Sequence, residues 1–138
     1  MHLTDGEIAT TNSPAFSQLI HDLVPALHAS GRLARESCVG IVGELCPLLE
    51  ACGFSHIRRI PHVVDFSAGT SKHDLYAQDF LLGAMTLEAL IVKSGAVDVE
   101  TYRHCFQQAL KDFDSPDFHG VQCFLSAWGV KSPSMFPS

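Results

Sequence analysis

Recognisable catalytic and metal-binding motifs are missing from this 138-residue sequence. It contains no G-x-S-x-G, no H-E-x-x-H and no P-loop, so the familiar signatures of serine hydrolases, zinc proteases and phosphate-binding loops are absent. Its five cysteines include no C-x-x-C pair, which argues against a thioredoxin-like motif and a zinc knuckle. Because the cysteines are odd in number and lie within apolar patterns, we expect them to be reduced and to serve as small core residues.

Basic residues are also scarce, with 9 Lys and Arg against 15 Asp and Glu and a formal net charge of −6. Such a charge disfavours phosphate backbones, so no nucleic acid partner is expected. Residues 1–12 lack both the basic start and the apolar stretch of a signal peptide. The Phe80–Val92 run is shorter than the roughly 20 apolar residues that a membrane-spanning helix needs. We therefore expect a cytoplasmic protein with no membrane partner.

Apolar residues, by contrast, are abundant and follow helical spacing. They make up 46% of the chain, which is enough for one buried core. Ser13-Pro14 predicts the start of a first helix that ends at Gly31. A second helix is expected from Leu33 to Cys52. Residues 54–72 fit either a short helix or an extended crossing.

Three further helices are predicted in the second half of the chain. The apolar run Ala77–Gly95 belongs to a long helix that Ser71 caps. Asp98 caps the next helix, and Ser115-Pro116 begins a last helix that ends at Gly129. No hairpin dipeptide separates two alternating apolar runs, so these patterns require no sheet.

The sequence therefore predicts an all-α fold, a small domain of about five helices over residues 13–130. Residues 1–12 have no sustained periodicity and are expected to form a flexible arm. Residues 131–138 contain two prolines and no apolar pattern, which predicts a disordered tail.

Two stretches, 23–31 and 45–53, share the pattern L-x-P-x-L-x-A-x-G. Segments 31–45, 73–90 and 112–125 each resemble the turn and first helix of a HEAT or armadillo repeat, where a polar turn leads into small and apolar residues. The resemblance implies stacked helix pairs that present a surface to a protein partner. An irregular helical bundle is the alternative architecture.

Histidine spacing argues against a metal site. His21 and His28 lie seven residues apart and His104 adjoins Cys105, so neither pair converges on one ion from a helix. We expect no metal and no cofactor. A small helical enzyme or ligand-binding protein that uses these histidines or a cysteine in an interhelical pocket stays open as an alternative function.

The function that the sequence favours is a non-enzymatic module that binds a protein partner through an exposed apolar ridge or groove. Its candidate anchors are aromatic, because such side chains dominate binding hot spots: Tyr102, Phe118, Phe124 and Trp128. Glu88, near the middle of the longest apolar run, lies either at the solvent edge or beside a basic group or bound partner. A self-associating or immunity-type protein that acts by occlusion is a further alternative.

Overall fold

A computed structural model describes residues 1–32 and 40–131, and these residues form a mixed α/β fold with 48% helix and 25% strand. The all-α expectation, and with it the helical-repeat resemblance, is therefore wrong. In chain order the elements are β1 (His2–Gly6), β2 (Thr10–Thr11), α1 (Pro14–Ala29), α2 (Leu45–Ala51), β3 (Phe54–Asp65), α3 (His73–Lys93), α4 (Val99–Phe113) and β4 (Gly120–Lys131).

The strands form one antiparallel sheet around β4. β3 pairs with β4 along one side, with Asp65 opposite Val121 at one end of the ladder. β1 and β2 follow one another along the other side, where His2 lies opposite Trp128 and Thr10 lies opposite Val121. The central strand therefore joins segments from the two ends of the described chain, which no short sequence window can reveal.

β4 replaces the last predicted helix. Val121, Phe124, Leu125 and Trp128 have helical spacing, yet all four lie in an extended strand. The helical spacing arises because apolar residues occupy both faces of β4, which hides the two-residue period of a strand. Aromatic and β-branched residues, which are frequent here, fit a pleated surface well.

The ambiguous segment 54–72 contains β3, which agrees with its extended alternative. The strand has a register shift between Ser55 and Arg58, and His56 there has a φ of 52°. Such a bulge leaves one residue unpaired and bends the strand. Residues 2–6, which the sequence analysis placed in an arm, form β1.

Local sequence signals set most helix boundaries. The Phe16 amide donates to Ser13 Oγ at 3.0 Å, so Ser13 caps α1 as expected, and α1 continues through Pro25 to Ala29. Asp98 Oδ1 accepts from the Thr101 amide at 2.9 Å and caps α4. The cap predicted at Ser71 is wrong by one position, because Lys72 precedes α3 and makes no side-chain cap hydrogen bond.

The repeated L-x-P-x-L-x-A-x-G pattern marks helix ends. Gly31 and Gly53 follow α1 and α2 with φ angles of 73° and 80°, a conformation that glycine adopts without steric cost. The pattern thus encodes two similar C-termini and no repeated tertiary unit. Of the second predicted helix, residues 45–51 form α2, and residues 33–39 lie outside the described part of the chain.

α3 is long and apolar enough, by length and composition alone, to cross a membrane. In the fold it packs against α1 and α4, and it buries only Ala84 and Ile91 completely. Its opposite side leaves Leu82 and Met85 exposed. Segment Ala77–Gly95 is therefore a packing helix with one covered side.

The main core lies among α1, α3 and α4 at the Gly120 end of β4. Its buried residues are Phe16, Leu19, Ala26, Phe66, Ala84, Ile91, Tyr102, Phe106, Ala109, Phe113 and Phe118. A smaller core forms where Leu45 and Leu49 of α2 pack on Ala127 of β4. This division leaves a cleft between α1 and α3, and it leaves α2 on one face of the sheet.

Candidate functional site

An apolar groove lies between α1 and α3, and we call it the α1/α3 cleft. It consists of two adjoining cavities of about 210 and 170 Å³. The cavities share Ile20 and Leu23 from α1 and Asp79 and Phe80 from α3, so they adjoin one another along the two helices. Ligand pockets in proteins occupy roughly 300–1,000 Å³, and each cavity alone falls below that range. A compact ligand would therefore have to bridge both.

The first cavity lies where the helices meet the sheet. It is lined by Gly6, Glu7, Ile8, Ala9, Phe16, Ile20, Leu23, Phe66, Tyr76, Asp79, Phe80, Phe113 and Gln122. The second cavity continues between the helices and is lined by Leu19, Ile20, Leu23, Asp79, Phe80, Gly83, Ala84, Leu87, Ile91 and Tyr102. Most of these side chains are apolar, which suits a ligand that is driven from water by its apolar surface.

Aromatic rings build the walls of the first cavity. The Phe80 ring centroid lies 5.0 Å from that of Phe16 and 5.1 Å from that of Phe113. The Tyr76 ring stacks on Phe66 with centroids 4.3 Å apart and planes 6° apart. Offset or tilted rings at such distances hold one another in place. The cleft therefore offers rigid, flat surfaces on which a planar apolar group can pack.

Glycine leaves the second cavity open. A Cβ placed on Gly83 would meet no heavy atom within 4 Å. On either side of it in the sequence, Asp79 and Leu87 lie one turn away along α3 and line the same cavity. The absent side chain at position 83 is thus what keeps this part of the groove empty.

The polar groups of the cleft are acidic or neutral. Glu7 and Asp79 contribute carboxylates, and Gln122 Nε2 donates to the Glu7 carbonyl oxygen at 2.8 Å. Burial, and then the nearby charge of Asp79, raises the pKa of Tyr76. No lysine or arginine belongs to the described lining residues. The cleft therefore favours a neutral or cationic ligand over an anion.

The structure buries two of the four predicted anchors. Tyr102 and Phe118 are each 2% exposed, so they are core residues and cannot anchor a partner. The Tyr102 hydroxyl donates to the Ala84 carbonyl oxygen at 2.7 Å and joins α4 to α3. Burial is the largest cause that raises the pKa of Tyr102 to about 12, so the phenol stays neutral. Tyr102 also forms part of the inner wall of the cleft.

The other two anchors, Phe124 and Trp128, are half-buried side chains of β4. Neither lines the cleft, but Phe124 lies opposite Gly6 in the sheet, and Gly6 lines the first cavity. Glu88 takes the paired alternative, because Arg103 Nη2 lies 2.7 Å from its Oε1 and joins α4 to α3. This hydrogen bond is the largest cause that lowers the pKa of Glu88. The pair is a structural contact and not part of the cleft.

Sequence reasoning missed the cleft residues Phe16, Leu23, Tyr76 and Phe80. They look like ordinary core positions, since only the arrangement of two distant helices leaves space between them. One local signal could have pointed to the groove. Asp79 and Gly83 interrupt the apolar run of α3 one turn apart, which is unusual on a face that is otherwise packed.

Among the described residues, no histidine or cysteine lines the cleft. His21 is exposed on α1 with Nδ1 3.4 Å from Asp22 Oδ1, and His104 is exposed on α4. Cys105 Sγ donates to the Ala15 carbonyl oxygen at 3.2 Å. Within residues 1–32 and 40–131, no three His, Cys, Asp or Glu side chains are grouped to hold a metal ion.

We expect Cys105 to react slowly with iodoacetamide at neutral pH. Burial, followed by the charges of Asp22 and Asp112, raises the pKa of its thiol, so the reactive thiolate is rarer than in an ordinary cysteine. The exposed Cys52 and Cys123 are internal controls that should be alkylated first, as followed by mass spectrometry of tryptic peptides. A Cys105 that reacts faster than both would instead support cysteine-based catalysis.

The fold and the cleft define a small mixed α/β protein with an open, largely apolar groove. A scan against protein-family models found no match. No curated protein matches the chain either.

Proposed function

We propose that the protein binds a compact, largely apolar small molecule in the α1/α3 cleft. The observation that carries this proposal is the pair of adjoining cavities, whose walls come from both helices and are mostly apolar. Helix pairs are common positions for such sites, where a few polar groups orient the ligand. Here those groups are Glu7, Asp79 and the Tyr76 hydroxyl, which suit a neutral or cationic molecule with a planar part.

Two dyes of similar size test the proposal. We expect neutral N-phenyl-1-naphthylamine to bind saturably with increased fluorescence. The anionic 8-anilinonaphthalene-1-sulfonate should bind at least about tenfold more weakly, because both carboxylates of the cleft oppose its charge. The Asp79→Asn substitution should reduce the difference in affinity between the two dyes, because it removes one of the two carboxylates. Equal binding of the two dyes would contradict the proposed ligand class.

A matched pair of variants on α3 locates the binding. Gly83→Phe places a ring in the empty space of the second cavity and should weaken N-phenyl-1-naphthylamine binding about tenfold or more. Ala89→Phe places the same ring on the exposed side of α3 and should leave binding unchanged. Circular dichroism checks that both variants are folded. The proposal would be wrong if the two substitutions changed dye affinity equally, or if the parent protein showed no saturable binding.

Protein binding, the function that the sequence favours, stays a proposal, but the surface that would bind the partner is smaller than predicted. Since Tyr102 and Phe118 are core residues, only Phe124 and Trp128 of the predicted anchors can contribute to it.

A further inference from the structure

One face of the sheet, here called the open sheet face, carries His2 from β1, Phe124 and Trp128 from β4, and Arg58, Ile60 and His62 from β3. The cross-strand register places them on the same side, since Arg58 and His2 both lie opposite Trp128. Side-chain contacts are consistent with this placement on one face. The His2 and Trp128 ring centroids are 5.9 Å apart, and His62 Nε2 lies 2.9 Å from Oγ of Ser126 on the same face.

The opposite face is where α2 packs. Leu45 and Leu49 of this helix contact Ala127, together with Leu3 and Leu125. These strand residues alternate with those of the open sheet face, because successive side chains of a strand point to opposite sides. Ile60, on the open sheet face, remains 47% exposed.

β4 carries large apolar side chains on both of its faces. A strand with one solvated face alternates apolar and polar residues, whereas a doubly covered strand is apolar almost throughout. In β4, Leu125 and Ala127 face α2, while the other side carries the large apolar Phe124 and Trp128 together with the polar Gln122 and Ser126. The open sheet face is therefore suited to a second packing layer.

The charge of the open sheet face indicates which charge a second packing layer would need. The chain has a net charge of −6, yet the charged residue of the described strands on the open sheet face is a cation, Arg58. The two carboxylates of the paired strands, Asp5 and Asp65, lie opposite Leu125 and Val121 and so belong to the other face. Among the described strand residues, the open sheet face thus has no carboxylate of its own.

We propose that the open sheet face binds an amphipathic helix of a partner protein, with carboxylates beside the apolar stripe of that helix. Helices commonly cover sheets in this way. Phe124 and Trp128 are about 13 Å apart along β4 at the rise of a strand, which matches roughly two turns of a helix. The carboxylates would pair with Arg58 at the rim. This surface adjoins the α1/α3 cleft, because the Phe124 ring lies against Gly6, which lines the first cavity.

The single tryptophan reports on this binding, because Trp128 lies on the open sheet face. The probe is a tryptophan-free helical peptide of about 20 residues with a leucine stripe flanked by glutamates. We expect a saturable blue shift of Trp128 emission. The same peptide with lysines in place of the glutamates should bind at least about tenfold more weakly, and Arg58→Ala should reduce this difference.

Two glutamate substitutions on β3 separate the faces. Ile60→Glu adds a charge to the open sheet face and should weaken binding of the glutamate peptide about tenfold or more. Val63→Glu is the control, since Val63 is 68% exposed on the other face and should leave binding unchanged. Thermal melts establish that both variants fold.

Three results would overturn the proposal. The first is no saturable shift with either peptide, and the second is equal binding of the glutamate and lysine peptides. The third is a Trp128 shift on concentrating the protein alone, with a doubled mass in sedimentation, because a second copy would then be the occupant. Dye binding in the cleft is measured separately, so failure here leaves the ligand proposal standing.

Discussion

Replacing Phe66 with alanine is expected to lower the free energy of unfolding by about 3–5 kcal/mol, the usual cost of truncating a buried phenylalanine. Phe66 is 0% exposed and follows β3, so its ring joins the sheet to the helical core. It stacks on Tyr76 and lies 5.9 Å from the Phe118 ring centroid. The substitution therefore removes both apolar burial and aromatic contacts. Urea denaturation measures the change.

Val63→Ala is the matched control for Phe66→Ala, because Val63 lies three residues earlier, in β3, with an exposed side chain. Its free energy of unfolding should change by less than about 0.5 kcal/mol. A loss below about 1 kcal/mol for Phe66→Ala would show that the ring is not part of a packed core. The cleft dye assay is informative too, since Phe66 lines the first cavity and its loss enlarges that space.

Gly120→Ala is expected to cost about 1–3 kcal/mol of stability, because it overpacks the same region. A Cβ at Gly120 would overlap Cε2 and Cζ of Phe66, which is fully buried and cannot move into solvent. The Phe66 amide also donates to the Gly120 carbonyl oxygen at 2.9 Å, so the two backbones are tied together. Either the ring or the strand must shift to admit the methyl group.

Gly83→Ala is the control for Gly120→Ala, because the same substitution is expected to raise the free energy of unfolding at position 83. Position 83 lies inside α3 with no heavy atom near its Cβ position, so alanine should stabilise the protein by about 0.5–1 kcal/mol through helix propensity. In a Phe66→Leu background, Gly120→Ala should be less costly than in the parent, since leucine leaves more room. Equal costs in the two backgrounds would exclude a clash with Phe66.

The four aromatic residues that the sequence predicts as anchors differ in their exposure. Phe124 and Trp128 are predicted as anchors because they are large and aromatic, and in the structure they are half-buried on the open sheet face. Tyr102 and Phe118 have the same chemistry, but packing buries them in the core. Residue type alone cannot distinguish these cases, because exposure depends on neighbours that are remote in the sequence.

The sequence by itself determined the features that depend on a few consecutive residues. Ser13 and Asp98 cap helices because their side-chain oxygens reach amides three residues ahead. Glycines end helices at positions 31, 53 and 95, where φ is positive. A buried apolar core also follows from composition, since removing apolar surface from water is favourable wherever the chain permits it.

Only the tertiary structure decided that residues 120–131 form a strand. Their apolar positions fit a helix or a doubly covered strand equally well, and the choice depends on hydrogen bonds to β1 and β3, which lie far away along the chain. The α1/α3 cleft has the same origin, because it is the space that remains when Phe66 and Phe113 hold the helices against the end of the sheet. Local chemistry sets where elements stop, whereas non-local pairing sets which element forms and what stays open between elements.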